Sequence, residues 1–281
     1  MELTHTAQRS GRLSSFLREE MGMSLGLMNR LKWQDKLFVN GNAVHTDFTV
    51  QPGDVITVPL DEETPQYPAE DGPLTILYED EHILAVDKPA GMLIHPSRSR
   101  LTGTLANRVL AHYEKTGQKC AFHPLTRLDR DTYGIVLLAK NSHIHALLSA
   151  TNLQKTYEAL VFGGPETDSM TIDAPIARLP LPSLLRQVSP EGKPSVTRLQ
   201  VLERKDGCSL LALQPVTGRT HQLRVHCAYM GFPILGDPQY GTAQSQAFSQ
   251  TLGLQHQQLC AKRLEFTHPI TGEKLTLESG L

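Results

Sequence analysis

The sequence lacks the patterns that mark metal-binding, disulfide-bonded or membrane-spanning proteins. Its four cysteines stand far apart among 281 residues, without a CxxC pair, and its twelve histidines include no HExxH motif. No apolar run approaches the length of a membrane span, and the N-terminus lacks the apolar segment of a secretory signal. We therefore expect a cytoplasmic protein without a bound metal. The cysteines, which we expect to be reduced, are Cys120, Cys208, Cys227 and Cys260.

Charge of one sign is also scarce, since the formal net charge is only −2. The balance is nevertheless uneven along the chain. Residues 91–281 carry twenty basic and fourteen acidic side chains, whereas residues 61–90 carry one and nine. Nucleic-acid binding depends on a local basic face and not on the sum over the chain. The composition therefore does not exclude a polyanionic partner.

Residues 10–60 have the pattern of a small module with two short helices and a small sheet. Apolar residues fall at helical spacing behind Ser10 and again behind Ser24, and each serine is a candidate N-cap. Extended runs follow, broken at a turn over Asn40 and Gly41. The basic side chains of the helical half suit either a nucleic-acid module or a solvated face. They include Arg12, Arg30 and Lys32.

A linker is predicted at DEETPQYPAEDGP, residues 61–73, which combines three prolines with a run of acids and almost no aliphatic side chains. The predicted organisation is a first domain over residues 1–62, a linker over 63–73 and a second domain over 74–281. The second domain is dominated by strand-like pieces, with helical stretches at TLANRVLAHYEK and HIHALLSATN. Since strands and helices do not alternate regularly, we predict an α+β fold.

Charges are concentrated in HPLTRLDRDTYGIVLLAK, residues 123–140. The run from Ile135 to Ala139 is typical of a strand buried on both faces, and Gly134 allows a bend or a close approach before it. Asp129 is thus carried to the edge of a hydrophobic core. Burying a carboxylate costs several kcal/mol unless a partner compensates it. Taken alone, this stretch favours a structural ion-pair lattice over a catalytic site.

A second polar stretch lies in PVTGRTHQLRVHCAYMGFPILGDPQYG, residues 215–241. It gathers Arg219, Thr220, His221, Gln222 and Arg224 on one short element. So many donors suit recognition of an anionic or hydrogen-bonding ligand. The alternative is that an arginine such as Arg224 neutralises an internal aspartate.

Five segments carry a family resemblance. TRLDRDTYGIVLLAK, KTYEALVFG and TGRTHQLRVHCAYMGFPILGD resemble the motifs of the RluA-type pseudouridine synthases, and ILYEDEHILAVDKPAGMLIHP and LEFTHPITGEKL are similar to that family's opening and closing segments. The resemblance covers about residues 74–281 in order. The first sixty residues are similar to the alpha-L (S-four type) RNA-binding domain that many members carry.

The resemblance implies isomerisation of a uridine within RNA, in which uracil is detached at N1 and rejoined to the same sugar carbon through C5. It also implies a catalytic domain built on a mixed, largely antiparallel sheet flanked by helices, and a reaction without cofactor or metal. The expected partner is RNA, with large-subunit ribosomal RNA as the first candidate and transfer RNA as the second. We expect a monomer, because an extended RNA must cross the active cleft.

The resemblance also assigns roles to residues. Asp129 matches the essential aspartate, which acts on the ribose or the base, and Arg224 matches the arginine that pairs with it. Tyr157 matches an aromatic that lies against the flipped uracil and takes part in removing the C5 proton. Arg127 matches the residue that fills the gap left by the extruded base. Further candidates for substrate contact are Lys88, Lys155, Lys193, Arg219, His221 and Gln222.

Three positions depart from the family pattern: Thr126 and Cys260 stand where most members have histidine, and Tyr133 stands where a serine is usual. These changes bear on which RNA is recognised. Two other functions stay open at this stage. One is an RNA-binding assembly factor that has kept the synthase fold but has lost catalytic activity. The other is a glycoside or nucleoside hydrolase that uses Asp129 and Asp131 as a carboxylate pair.

Overall fold

The computed structural model describes residues 2–59, 67–97, 100–180 and 182–281. Helix α1 (Leu13–Ser15) continues as a π-helical turn over Phe16–Glu20, and the other helices are α2 (Leu25–Trp33), α3 (Leu105–Lys115), α4 (Ser142–Ala150), α5 (Gln222–Tyr229) and α6 (Ala243–Thr251). The strands are β1 (Glu2–Thr6), β2 (Gly11–Arg12), β3 (Phe38–Val39), β4 (Asn42–Ala43), β5 (Thr49–Val50), β6 (Val55–Pro59), β7 (Thr75–Glu79), β8 (Ile83–Lys88), β9 (His123–Pro124), β10 (Tyr133–Ala139), β11 (Gln154–Phe162), β12 (Ser169–Asp173), β13 (Ile176–Arg178), β14 (Arg186–Val188), β15 (Val196–Lys205), β16 (Cys208–Pro215), β17 (Leu259–Thr267) and β18 (Lys274–Glu278).

The N-terminal module packs its short helices on a sheet of order β1-β6-β3-β4 around a core of its own. The predicted cap of the second helix is confirmed, since Ser24 Oγ accepts a hydrogen bond from Leu27 N at 3.2 Å. The predicted cap at Ser10 is wrong. The first helix begins after Arg12, and Ser10 Oγ donates to the Gln51 side chain instead. The physical reason is position, because Ser10 stands two residues before the N-cap residue, Arg12.

The hairpin turn predicted between two short strands is confirmed. Asn40 and Gly41 join β3 to β4, and both have positive φ, 51° and 78°. A two-residue turn of this kind matches the twist of the strands that it connects. The local sequence therefore sets this part of the module.

The larger unit is built on one mixed sheet, which in the described part of the chain has the order β12-β15-β16-β11-β17-β10-β8-β7. Strand β18 pairs with β17 and β9 pairs with β10. Pairing is antiparallel except between β10 and β17. The α+β prediction is confirmed, and so is the mixed, largely antiparallel sheet.

Strand β10 is buried on both faces, as its apolar run predicts. Val136 and Leu138 belong to the cluster that packs on α3, whereas Ile135 and Leu137 belong to the cluster that packs on α4. Truncating a side chain at such a site, as in Leu137→Ala, costs about 2–5 kcal/mol of stability. This strand is therefore a rigid base for the loop that precedes it.

Gly134 provides the close approach that its position suggests. Its φ is 105°, and a Cβ on it would lie 2.5 Å from the backbone oxygen of Ala261 in β17. A side chain here would push β10 and β17 apart at their short parallel pairing. The glycine thus sets the position of the sheet just after Asp129.

The predicted linker divides into two parts. Residues 60–66 lie outside the described residues. Tyr67 and Ala69 pack against the core that contains α3, and Glu70 N donates to Asn107 O at 3.0 Å. Residues 67–73 are therefore attached to the larger unit, while the predicted domain boundaries stay a prediction. Among the described helices, none combines the length and apolarity that a membrane span requires.

Candidate active site

A cleft of about 740 Å³ opens on the larger unit. Most of its wall comes from three stretches of chain, around residues 125–132, 152–157 and 214–224, and Arg198 and Leu259 complete it. Asp129 is the acidic residue among the lining side chains. The basic ones are Arg127, Lys155, Arg198, Arg219 and Arg224. Such a surplus of positive charge in a concave site attracts a polyanion.

Asp129 and Arg224 meet in this cleft from positions 95 residues apart. Arg224 Nη1 donates to Asp129 Oδ2 at 3.0 Å. The arginine side chain is 5% exposed, whereas that of the aspartate is 31% exposed. The guanidinium is therefore part of the wall, and the carboxylate stands at the surface of the cleft.

Asp237 holds the other side of the guanidinium. Arg224 Nε and Nη2 donate to its two carboxylate oxygens at 2.7 and 2.8 Å, and Nη2 also donates to Gln239 Oε1 at 2.8 Å. Burial alone would lower the pKa of Arg224, but the hydrogen bonds and charge of Asp237, with a contribution from Asp129, raise it. Arg224 therefore both neutralises an internal aspartate and faces Asp129, so the two interpretations of this arginine hold together.

The sequence motifs did not predict the role of Asp237 as a partner of Arg224, although this aspartate stands in the segment GFPILGDPQYG. The available signal was a glycine next to an aspartate after an apolar run. Gly236 has φ 74°, and any Cβ there would collide with the backbone oxygen of His256. Only glycine permits the turn that brings Asp237 under Arg224.

His221 approaches Asp129 from the turn that precedes α5. Its backbone is left-handed, with φ 57°, and its Nδ1 lies 2.8 Å from Tyr240 Oη. Tyr240 Oη accepts from Arg186 N at 2.9 Å, which leaves the hydroxyl hydrogen for His221 Nδ1. This pattern favours the tautomer with hydrogen on Nε2, which lies 3.8 Å from Asp129 Oδ2. Burial lowers the pKa of His221, so the ring is neutral at neutral pH.

Gln222 does not present its amide to the cleft. Its side chain is buried, Oε1 accepts from Thr217 Oγ1 and Arg219 N, and Nε2 donates to Val196 O and Thr197 Oγ1. An amide group can make four hydrogen bonds, and all four are used. The structure thus favours a role for Gln222 in holding the turn rather than direct contact with substrate.

Tyr157 lies on β11 where the pairing with β17 is irregular. The register shifts between Thr156 and Glu158, so Tyr157 occupies a bulge beside the cleft. Bulges of this kind re-aim side chains next to active sites. Burial, and then the charge of Asp129, raise the pKa of Tyr157 to about 12. Its phenol is therefore protonated at neutral pH.

The three basic candidates of the cleft differ in their surroundings. Arg127 is exposed, and so is Arg219, whose Nε donates to Pro194 O at 3.1 Å. Lys155 is half-buried, and burial lowers its pKa. All three line the cleft and are available to a bound ligand.

Lys88 is not a phosphate contact, and that expectation is wrong. The side chain is fully buried, and Nζ donates to the carbonyl oxygens of Pro89, Met92 and Arg130 at 2.9–3.0 Å. Burial lowers its pKa to about 8. Lys88 instead ties the loop that follows Asp129 to the end of β8.

The three departures from the family pattern lie in the packing around the cleft. Thr126 is buried, and its Oγ1 accepts from Leu137 N at 3.0 Å. Tyr133 and Cys260 are paired across β10 and β17, and Cys260 is buried. In the described part of the chain, none of the three is among the cleft-lining residues. Thr126 and Cys260 therefore face the interior rather than the ligand.

Asp131 has a different environment from Asp129. Arg130 Nε and Nη2 donate to its two oxygens at 2.9 and 2.8 Å, and it does not line the cleft. A hydrolase with two carboxylates needs both beside the scissile bond. The arrangement therefore leaves the hydrolase interpretation without its second carboxylate.

The predicted RNA contacts of the N-terminal module lie outside the cleft. Arg12 and Arg30 are exposed, and Lys32 Nζ lies 5.8 Å from the ring centroid of Trp33. Metal binding has no comparable support, because no group of three His, Cys, Asp or Glu side chains within the described ranges could hold an ion.

The fold of this chain is similar to that of pseudouridylate synthase domains. The human structure named RNA Pseudouridylate Synthase Domain Containing 1 is similar, with a TM-score of 0.61 and 26% identity over 77% of this chain and 86% of its own. Residues 82–229 match the family described as RNA pseudouridylate synthase. This chain belongs to that family of RNA-modifying isomerases, and the resemblance to its RluA-type members is confirmed.

Curated relatives agree over most of the chain. The uncharacterized RNA pseudouridine synthase YjbO of Bacillus subtilis is 38% identical over 269 residues, 93% of each chain. The ribosomal large subunit pseudouridine synthase D of Pseudomonas aeruginosa is 37% identical over 258 residues, 88% of this chain and 80% of the relative.

Proposed function

We propose that this chain isomerises a specific uridine of large-subunit ribosomal RNA, with Asp129 as the group that acts on the target nucleoside. The observation that carries the proposal is the Asp129–Arg224 pair, whose arginine is buried and whose carboxylate is open to a positively charged cleft. A carboxylate can act as nucleophile or base and is regenerated at the end of the reaction. This chemistry fits an isomerase that needs no net input of atoms.

The two carboxylate oxygens of Asp129 have different surroundings. Arg224 donates to Oδ2, and His221 Nε2 also lies nearest to Oδ2. Oδ1 accepts no hydrogen bond from the described residues and is left for the nucleoside. Arg224 is fixed in turn by Asp237 and Gln239, so the direction of the carboxylate is set before RNA binds.

The target uridine must leave its stack to reach Asp129, because the carboxylate lies within a cleft. Arg127 is exposed at the cleft wall two positions before Asp129 and fills the place of the extruded base. Its planar guanidinium can stack on a neighbouring base and bind phosphate. Lys155, Arg219 and His221 contact the backbone or the edge of the uridine.

Tyr157 contacts the flipped base through its ring and its hydroxyl. A phenol whose pKa is about 12 holds its proton at neutral pH, so Tyr157 does not remove the C5 proton as a free phenolate. Its hydroxyl can accept the C5 proton only as it donates its own proton to solvent; otherwise Tyr157 orients the base and the C5 proton passes to solvent directly.

Ribosomal RNA is favoured over transfer RNA by the relatives, among which the synthase D of Pseudomonas aeruginosa carries a large-subunit name. The N-terminal module contributes further RNA contacts through Arg12, Arg30 and Lys32, in keeping with its similarity to the alpha-L domain. The proposal includes a monomer that works in the cytoplasm.

Tritium release from RNA labelled at uridine C5 tests the proposal. Ribosomal and transfer RNA are compared for the wild type, Asp129→Asn and Asp131→Asn. We expect release from ribosomal RNA, a loss of about a thousandfold or more in Asp129→Asn, and near wild-type release in Asp131→Asn. The last variant changes a carboxylate two positions away that does not line the cleft.

Retained release in Asp129→Asn would contradict the assignment of this residue. Release from transfer RNA alone would show that the substrate is transfer RNA and not ribosomal RNA. If the folded wild type binds RNA but releases no tritium from either RNA, the assembly-factor interpretation is favoured. Release of free uracil would support the hydrolase interpretation instead.

A further inference from the structure

Trp33 is the only tryptophan of the chain, and it ends helix α2 almost fully in solvent. Its relative exposure is 83%. Tryptophan is among the side chains that gain most from burial, so such exposure points to a ligand that covers it. Lys32 Nζ lies over one face of the indole, 5.8 Å from the centroid. The opposite face of the ring is available.

We propose that Trp33 is a stacking platform for an unpaired nucleobase of the RNA substrate, outside the catalytic cleft. This inference rests on the proposed function, since it assumes an RNA substrate. Every base presents a flat π face, and stacking on an aromatic side chain is tolerant of sequence. Lys32 and Arg30 supply the positive charge that the phosphates on either side of the base require.

The surroundings of Trp33 favour RNA over an apolar protein partner. Residues three, four and seven positions before it share its side of the helix, and these are Arg30, Asn29 and Gly26, all exposed. Leu25 is the other large apolar side chain exposed on α2, but it lies eight residues away, about 12 Å along the axis. An indole isolated among cationic and polar groups suits a base flanked by phosphates.

Helix α2 has no acidic residue, which strengthens the same conclusion. Its sequence is LGLMNRLKW, and both of its cations stand in the last turn beside Trp33. The acids of the preceding π-helical turn are occupied elsewhere, because Arg9 pairs with Glu19 and Glu20. Asp35 follows two positions after Trp33, but Arg30, Lys32 and Lys36 outnumber it, so the net charge near the indole is positive.

The contact between the N-terminal module and the larger unit lies near the start of α2. Gly22, just before α2, lies against Leu147 of α4, so the module touches the larger unit there. Trp33 is at the far end of the helix, about 12 Å along its axis from Leu25. We assign Trp33 to a nucleotide that flanks the target site in sequence or in space.

The intrinsic fluorescence of the single tryptophan measures this contact directly. Full-length protein is titrated with large-subunit ribosomal RNA, with a twelve-nucleotide single strand and with a duplex of the same length, and tritium release is followed in parallel. We expect quenching by ribosomal RNA and by the single strand, and little by the duplex. Trp33→Ala should bind ribosomal RNA about 5- to 100-fold more weakly. Trp33→Phe should retain most of the affinity, and Leu25→Ala, on the same helix, all of it.

The outcomes separate this site from the proposed function. Tritium release with unchanged fluorescence and normal binding by Trp33→Ala would overturn the platform and leave the enzyme intact. Quenching without release would support the platform and count against the synthase. Equal quenching by the duplex would overturn base stacking. A self-association that Trp33→Ala abolishes, without any change in RNA affinity, would assign the surface to a second copy of the chain.

Discussion

The cleft and helix α2 both present cations, but they hold them in opposite ways. Arg224 is buried and makes four hydrogen bonds to three partners. Asp129 comes from a distant part of the chain, whereas Asp237 and Gln239 lie two residues apart. Arg30 and Trp33 stand in solvent on one helix, with the half-buried Lys32 beside the indole. Chemistry on a carboxylate needs a fixed direction, and RNA affinity needs only charge and a flat surface. Under the proposed function, this difference separates the charged groups assigned to the reaction from those assigned to RNA binding alone.

The largest effect is expected for Asp237→Asn, which leaves Arg224 in the wall with only the partly exposed Asp129 as a carboxylate partner. Removing one partner of a buried pair costs about 3–5 kcal/mol. We expect a fall of that size in the free energy of unfolding, measured by urea denaturation, together with loss of tritium release.

Asp168→Asn is the matched control for that variant. Asp168 pairs with Arg204 at 2.9 Å, with side chains 91% and 42% exposed. Exposed pairs contribute about 0–1 kcal/mol. Equal destabilisation by the two variants would show that burial does not distinguish the cleft.

The salt dependence of RNA binding compares the cations of the cleft with those of α2. Arg127→Ala in the cleft and Arg30→Ala on α2 should each reduce the slope of log binding constant against log salt by about 1, because each removes a phosphate contact. The two variants should differ in rate: Arg127→Ala should lower tritium release at saturating RNA, and Arg30→Ala should not. A fall of the saturated rate in Arg30→Ala would place α2 in the reaction itself.

The smallest expected effect is a change in the pH dependence of stability at Tyr157. The folded state raises the pKa of this phenol from 10.0 to about 12, so the folded protein keeps a proton that the unfolded chain releases. Stability from this group is present below the unfolded pKa and is lost as pH rises through the folded one. Between about pH 9 and about pH 11, the wild type should therefore lose more stability than Tyr157→Phe. Parallel curves in urea denaturation would contradict the burial of this hydroxyl.

Several features could be predicted from the sequence because they depend on local chemistry. The apolar run of β10, the turn at Asn40 and Gly41, and the cap at Ser24 are each determined within a few residues. The motifs around Asp129, Tyr157 and Arg224 were also enough to predict the family.

The tertiary structure alone decided how these residues act on one another. Asp237, under Arg224, and Tyr240, against His221, reach their partners only because turns at Gly236 and His221 adopt left-handed backbone. Lys88 and Gln222 look like ligands in the sequence but spend their hydrogen bonds on buried backbone and side-chain groups. A residue type shows which interactions are possible. Burial and the partners brought from distant parts of the chain decide which of them are made, and these follow from packing rather than from local propensity.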